Sequence, residues 1–248
     1  MKPDVFDYIV LAIILVAPIF DWQWYWPRCV RAIRARIPGA RVRFYRTTVA
    51  AEWIVTLYVL GLWIAKGRPW SALRLASSSS LRLAIGYSLA AIIIALFMLQ
   101  ARQVWKVLTR PEAVARLREK LAFADALVPE TDGERRGFWL VSATAGICEE
   151  LVFRGFLIWL ITAWLGLVAA VIISSIIFGY GHIYLGVAQV PRTALIGLVL
   201  ALIAVGTGSL WPAMLIHAAI DLNSGEIGFR VGRAAAAPTT EAAPPATS

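Results

Sequence analysis

Histidine and cysteine are nearly absent from this sequence, two of each among 248 residues. Cys29 and Cys148 stand in unlike surroundings, which leaves no disulfide framework to read. There is no Cys-x-x-Cys, no glycine-rich phosphate loop, no His-Glu-x-x-His and no internal repeat, so redox-thiol, nucleotide-cradling and the commonest helical zinc-protease patterns are excluded. Charge is also scarce. Charged residues make up 16% of the chain against 60% hydrophobic ones, a balance that excludes an ordinary soluble globular domain. What charge exists is lopsided, with a formal net value of +9.

The excess of apolar residues falls into runs long enough to cross a bilayer, for which about 20 residues suffice. The fold class expected is all-α, a polytopic transmembrane bundle of about seven spans. They are read as Tyr8 to Trp26, Thr47 to Ala65, Leu83 to Ala101, Phe138 to Trp164, Leu167 to Ile183, a short span ending at Val205, and Leu210 to Leu222. Trp22, Trp24, Tyr25 and Trp26 suit an interfacial belt, and the first span reads as a retained anchor rather than a cleaved signal. Residues 27–46 hold seven arginines and no acid. By the positive-inside rule that loop is cytoplasmic, the N-terminus lies outside and the C-terminus inside. Residues 102–137 hold eight basic and six acidic residues; apolar positions from Leu108 to Leu127 predict an amphipathic surface helix there. The expected organisation is N-terminal transmembrane helices over 1–101, a cytoplasmic amphipathic loop over 102–137, a transmembrane core over 138–224 that carries the chemistry, and a disordered tail over 225–248. The basic charge points to an anionic membrane surface, not to nucleic acid. The expected location is the inner (plasma) membrane of a bacterium.

Within the core, polar residues recur at helical spacing. Glu150 and Arg154 are four apart in the favourable order, while Glu149 lies about 100° round the helix without a local partner. Phe178 and His182 share one face, and His217 and Asp221 share another. Ionisable groups inside a bilayer are costly and mark functional sites. Each motif alone also fits a plainer role: a structural Glu–Arg tie, an interhelical histidine bond, an aspartate that holds the His217 ring, an inert buried thiol at Cys148. Glu52, isolated in the second span, reads as interfacial or helix-paired and is given no function. The placement of His182 near the cytoplasmic end of its helix predicts a site open to the cytoplasm.

Glu149-Glu150-x-x-x-Arg154, then Phe178-x-x-x-His182, then His217-x-x-x-Asp221 resembles the three-motif signature of the CPBP intramembrane endopeptidases. That family includes the CAAX prenyl proteases of the Rce type and bacteriocin-immunity or processing proteins. Thr144-Ala145-Gly146-Ile147, Phe153-Arg154-Gly155, Leu210-Trp211-Pro212 and the segment around Pro129 agree with it, and the similarity spans roughly residues 125–223. The resemblance implies hydrolysis of a peptide bond in a membrane-associated or lipid-modified protein. In it Glu149 activates water with His182 beside it, Glu150 and Arg154 fix the helix and its electrostatics, and His217 and Asp221 stabilise the oxyanion. Prenyl-protein enzymes of eukaryotes carry Asn where this chain has Asp221; an ionised Asp only accepts hydrogen bonds, so its part would be to orient His217. Cofactors stay open: zinc is compatible with two histidines and two or three carboxylates but is not required by them. The expected partners are membrane lipids and a peptide or protein substrate. Two other readings remain, a catalytically silent scaffold or immunity protein of the same fold, and a transporter using Glu149 and the histidines as a proton relay.

Overall fold

The computed structural model describes residues 2–76 and 80–236. Among them there are helices and no strands. Nine α-helices follow in order: α1 Val5–Phe20, α2 Trp26–Arg34, α3 Ala40–Ala65, α4 Ser80–Val107, α5 Pro111–Leu121, α6 Asp132–Glu149, α7 Ile158–Gly181, α8 Val190–Thr207 and α9 Trp211–Ala236. Two π-helical segments, Asp21–Tyr25 and Glu150–Leu157, join α1 to α2 and α6 to α7.

Five helical stretches are long and apolar enough to cross a membrane: Val5–Arg34, Ala40–Ala65, Ser80–Val107, Asp132–Gly181 and Val187–Thr207. Residues such as Ile54, Leu81 and Val168, each at least 69% exposed, turn outward from these helices, as a lipid-facing surface requires. The fourth stretch has 50 residues and would measure about 75 Å if straight, far beyond a hydrocarbon core of about 30 Å. It is not straight. Gly166 has φ 77° and ψ 168°, a conformation open to glycine. The chain reverses there, and Ser174 Oγ donates to the Phe153 carbonyl at 2.8 Å, which fixes the two arms side by side. With α9 packed on α4 and α6, the bundle has seven long rods.

The arginine-rich stretch is mostly helical rather than a loop, broken only between Arg34 and Ala40. Arg41 is buried there. Its guanidinium donates to Glu134 and Glu130 at 3.0 Å and to the Ala126 carbonyl at 3.2 Å, while the Tyr45 hydroxyl donates to the Leu127 carbonyl. Those bonds pin the segment ahead of α6 against α3. The start of α6 is set by a capping box, in which Thr131 and Glu134 exchange side-chain and backbone bonds.

Two expectations change. Residues 225–236 continue α9 instead of belonging to a disordered tail; Glu226 binds Arg135 at 2.8 Å and Arg230 at 2.7 Å, and Ile227 and Val231 pack with Val114 of α5. Residues 237–248 lie outside the described part, as do three of the four serines in the run at 77–80. The amphipathic helix is shorter than expected, Pro111–Leu121, and its apolar face meets α9.

Candidate active site

The polar residues of the core come together where α6 gives way to the π-helical segment. A π turn widens the helix and re-aims side chains, and such turns recur at functional sites. Glu149 is the last residue of α6 and Glu150 the first of the wider turn. Phe153 and Arg154 in that turn offer their carbonyls to side chains of other elements: Ser174 to the first, and Arg74 to the second at 2.9 Å.

Two glycines let neighbouring backbones approach this turn. A Cβ at Gly146 would sit 2.8 Å from the Ala218 side chain and 2.9 Å from the Met214 carbonyl of α9. One at Gly179 would sit 2.6 Å from the Val190 carbonyl of α8. The first contact seats His217 against Glu150; the second closes α8 over Arg154.

Glu150 and Arg154 are fully buried and paired at 2.8 Å. The same Glu150 oxygen, Oε1, also accepts from Nδ1–H of His217 at 2.8 Å. Arg154 donates further to the Gly197 carbonyl at 3.2 Å and lies over the Phe178 ring at 3.9 Å. These partners hold the buried charge pair, although the second Glu150 oxygen, Oε2, is buried without a hydrogen-bond partner. His182 is fixed by Nδ1–H donating to the Phe178 carbonyl at 2.9 Å. The Phe-x-x-x-His spacing thus serves two ends: the Phe178 ring carries Arg154 and its carbonyl sets the His182 tautomer.

Both imidazoles are therefore held at Nδ1, with Nε2 toward Glu149. Glu149 Oε2 is 4.0 Å from His182 Nε2 and 3.8 Å from His217 Nε2. That oxygen is buried and has no hydrogen-bond partner. Asp221 Oδ2 lies 3.8 Å from His217 Nε2, beyond direct bonding. The ring of His217 is oriented by Glu150, not by Asp221 as the one-turn spacing suggested. The structure thus brings all six motif residues, Glu149, Glu150, Arg154, His182, His217 and Asp221, to one place.

Zinc can be tested on this geometry. Tetrahedral ligands at about 2.1 Å from zinc stand roughly 3.4 Å from one another. The separations here are longer, and among the described residues no group of three or more His, Cys, Asp or Glu is arranged to hold a metal ion. The residues do not fit a metal centre.

Glu149 and His182 open onto a cavity of about 520 Å³ with mostly apolar walls, a size suited to a small-molecule or side-chain ligand. The N-terminal helices supply much of its lining: Ile14 and Pro18 from α1, Glu52 and Val55 from α3. Sequence reasoning assigned these helices no part in the site. The signal was Glu52, a lone carboxylate in an apolar span. Tyr184, after α7, also lines the cavity and faces the His182 ring at 6.1 Å. Burial, then the charges of Glu149 and Asp221, push the Tyr184 phenol above its usual pKa, so it remains a donor.

Residues 135–223 match the family model described as type II CAAX prenyl endopeptidase Rce1-like. That stretch runs from the first turn of α6 past Asp221 and contains all six motif residues. No curated protein and no solved structure matches the chain.

Proposed function

We propose, from an endopeptidase domain over residues 135–223, that the protein hydrolyses a peptide bond of a membrane-associated or lipid-modified substrate with water activated by Glu149. One observation carries the reading: the free, buried Oε2 of Glu149 stands 3.8–4.0 Å from two imidazole nitrogens at the edge of a cavity. Such a gap is too long for a direct bond and is spanned by one water. A water there donates one proton to His182 Nε2 and the other to Glu149, which leaves an oxygen lone pair for the substrate carbonyl. Glu149 takes the proton as the tetrahedral intermediate forms.

The negative oxygen of that intermediate needs a donor. His217 fills this role through Nε2 when its ring carries both protons, with Glu150, Glu149 and Asp221 as the surrounding carboxylates. Asp221 then acts as a charge partner for the ring. Glu150 and Arg154 are positioning residues: they hold the wide turn and, through His217, the geometry of the oxyanion side. No step is routed through a metal.

The test is a comparison of peptide fragments from membranes containing wild-type protein or Glu149→Gln, followed by proteolysis in detergent by both. Fragments made by the wild type alone support the reading. Equal cleavage by Glu149→Gln removes Glu149 as the base. A wild type without activity in either assay favours a silent scaffold of the same fold.

A further inference from the structure

Glu52 belongs to none of the three motifs. It sits in the apolar stretch of α3, and α3 packs against α6. Its Oε2 is buried and has no hydrogen-bond partner. One turn on, Thr56 is 0% exposed, and its hydroxyl also lacks a partner. Glu52, Thr56 and Glu149 all line the same cavity. An unpartnered polar oxygen in an apolar wall is costly, and inside a membrane such groups mark function.

Amide hydrolysis has two proton demands: the water must lose one and the departing nitrogen must gain one. Glu149 answers the first. Arg154 is committed to Glu150 and the Gly197 carbonyl, His182 Nδ1 to Phe178 and His217 Nδ1 to Glu150, while Asp221 stands 3.8 Å from His217 Nε2 and outside the lining of the cavity. Glu52 lines the same cavity from α3 with a buried, unpartnered oxygen.

We propose that Glu52 is the general acid of the reaction, handing a proton from α3 to the departing amine nitrogen while Glu149 on α6 takes one from the attacking water. The proposal rests on the peptidase reading above. The step requires Glu52 to begin protonated and Glu149 ionised. The bond from water oxygen to the carbonyl carbon forms and Glu149 gains the water proton. The C–N bond breaks, its electron pair stays on nitrogen, and that nitrogen takes the Glu52 proton. The products at this point are a carboxylic acid and a neutral amine. The acid returns its proton to Glu52, and Glu149 passes its proton to the amine. Both side chains are restored, and one water has become a carboxylate and an ammonium group.

The experiment pairs two probes with purified protein in detergent: a quenched, membrane-anchored peptide library, whose amide leaving group needs a proton, and an N-acylated amino-acid nitrophenyl ester, whose leaving group does not. Glu52→Gln is expected to lower kcat on the peptides by about 10²-fold or more, with the ester rate within about threefold of wild type. Glu52→Asp, which keeps the acid on a shorter stem, should recover part of the loss. Glu149→Gln should lose both substrates. Independently of turnover, the infrared spectrum of the resting protein at neutral pH should contain a protonated-carboxyl stretch that Glu52→Gln removes. The proposal is overturned if Glu52→Gln cleaves the peptides like wild type, if it loses peptide and ester alike, or if the infrared band survives. With wild type active and Glu149→Gln dead, those results sink Glu52 alone. A wild type that cleaves neither probe sinks the peptidase reading with it.

Discussion

At the scale of single residues, Glu149 and Glu150 are adjacent in sequence but opposite in situation. Glu150 spends one oxygen on Arg154 and His217 together, at 2.8 Å each. Glu149 spends its buried oxygen on nothing in the protein. The two glutamines therefore predict different failures. Glu149→Gln keeps the fold and should cost about 10²–10⁴-fold in turnover, the usual share of a general base. Glu150→Gln leaves Arg154 uncompensated in the interior and should cost about 3–5 kcal/mol of stability as well as activity. Thermal unfolding in detergent beside a turnover assay separates them, and a Glu150→Gln protein as stable as wild type would contradict the pairing. Asp221 gives a third comparison. At 3.8 Å from His217 it acts by charge and shape, so Asp221→Asn should retain substantial activity and Asp221→Ala far less. An inactive Asn variant, with zinc found in wild-type protein and activity lost to a chelator, would restore the metal reading.

At the scale of elements, the motifs were legible because each occupies one helical face and the spacing survives folding. Glu150 and Arg154 do pair, and the Phe178 and His182 spacing does join the two residues. The π-helical widening at Glu150 was not legible, because nothing in Leu151-Val152-Phe153 distinguishes a π turn from an α turn; the bonds that stabilise it come from Ser174 and Arg74 on other elements. For the same reason the sequence does not reveal the place of Glu52: it shows that Glu52 lacks a helical partner, but only packing shows that α3 and Glu149 line one cavity. The end of α9 is not legible in the Ala-rich sequence after Arg233, because its anchors at Glu226, Ile227 and Val231 are tertiary. The close approach of α6 and α9 makes its own prediction. Gly146→Ala places a methyl within 3 Å of Ala218 and the Met214 carbonyl, and overpacking of that kind costs about 1–3 kcal/mol. Gly61→Ala on α3 meets nothing within 4 Å and should be neutral or mildly stabilising by helix propensity. Midpoints of thermal unfolding for the two variants check this, and equal midpoints would argue against the tight α6–α9 contact.

At the scale of the whole molecule, the site and the charge distribution share an end. The cavity that begins at Glu149 also touches Tyr25, Trp26, Phe44 and Thr47. Tyr25, Trp26 and Thr47 flank the stretch that carries the seven arginines, and Phe44 lies within it. Aromatic residues and arginines of this kind sit at the headgroup level, and short arginine-rich segments stay on the cytoplasmic side. We therefore propose that the mouth of the cavity opens toward the cytoplasm with the N-terminus outside, so that a substrate would reach Glu149 from the cytoplasmic leaflet. Cys29 lies within that arginine-rich stretch and is partly exposed, whereas Cys148 is buried beside Glu149. A Cys148→Ala protein thus leaves one thiol to report the side. In intact cells a membrane-impermeant thiol reagent should leave Cys29 unlabelled, and in inverted membrane vesicles it should label it. A cysteine placed at Lys2 should give the reverse pattern, which controls for mere inaccessibility of Cys29. Labelling of Cys29 from outside intact cells would turn the molecule over in the membrane. The cytoplasmic mouth would fail with it, while the geometry around Glu149 would stand unchanged.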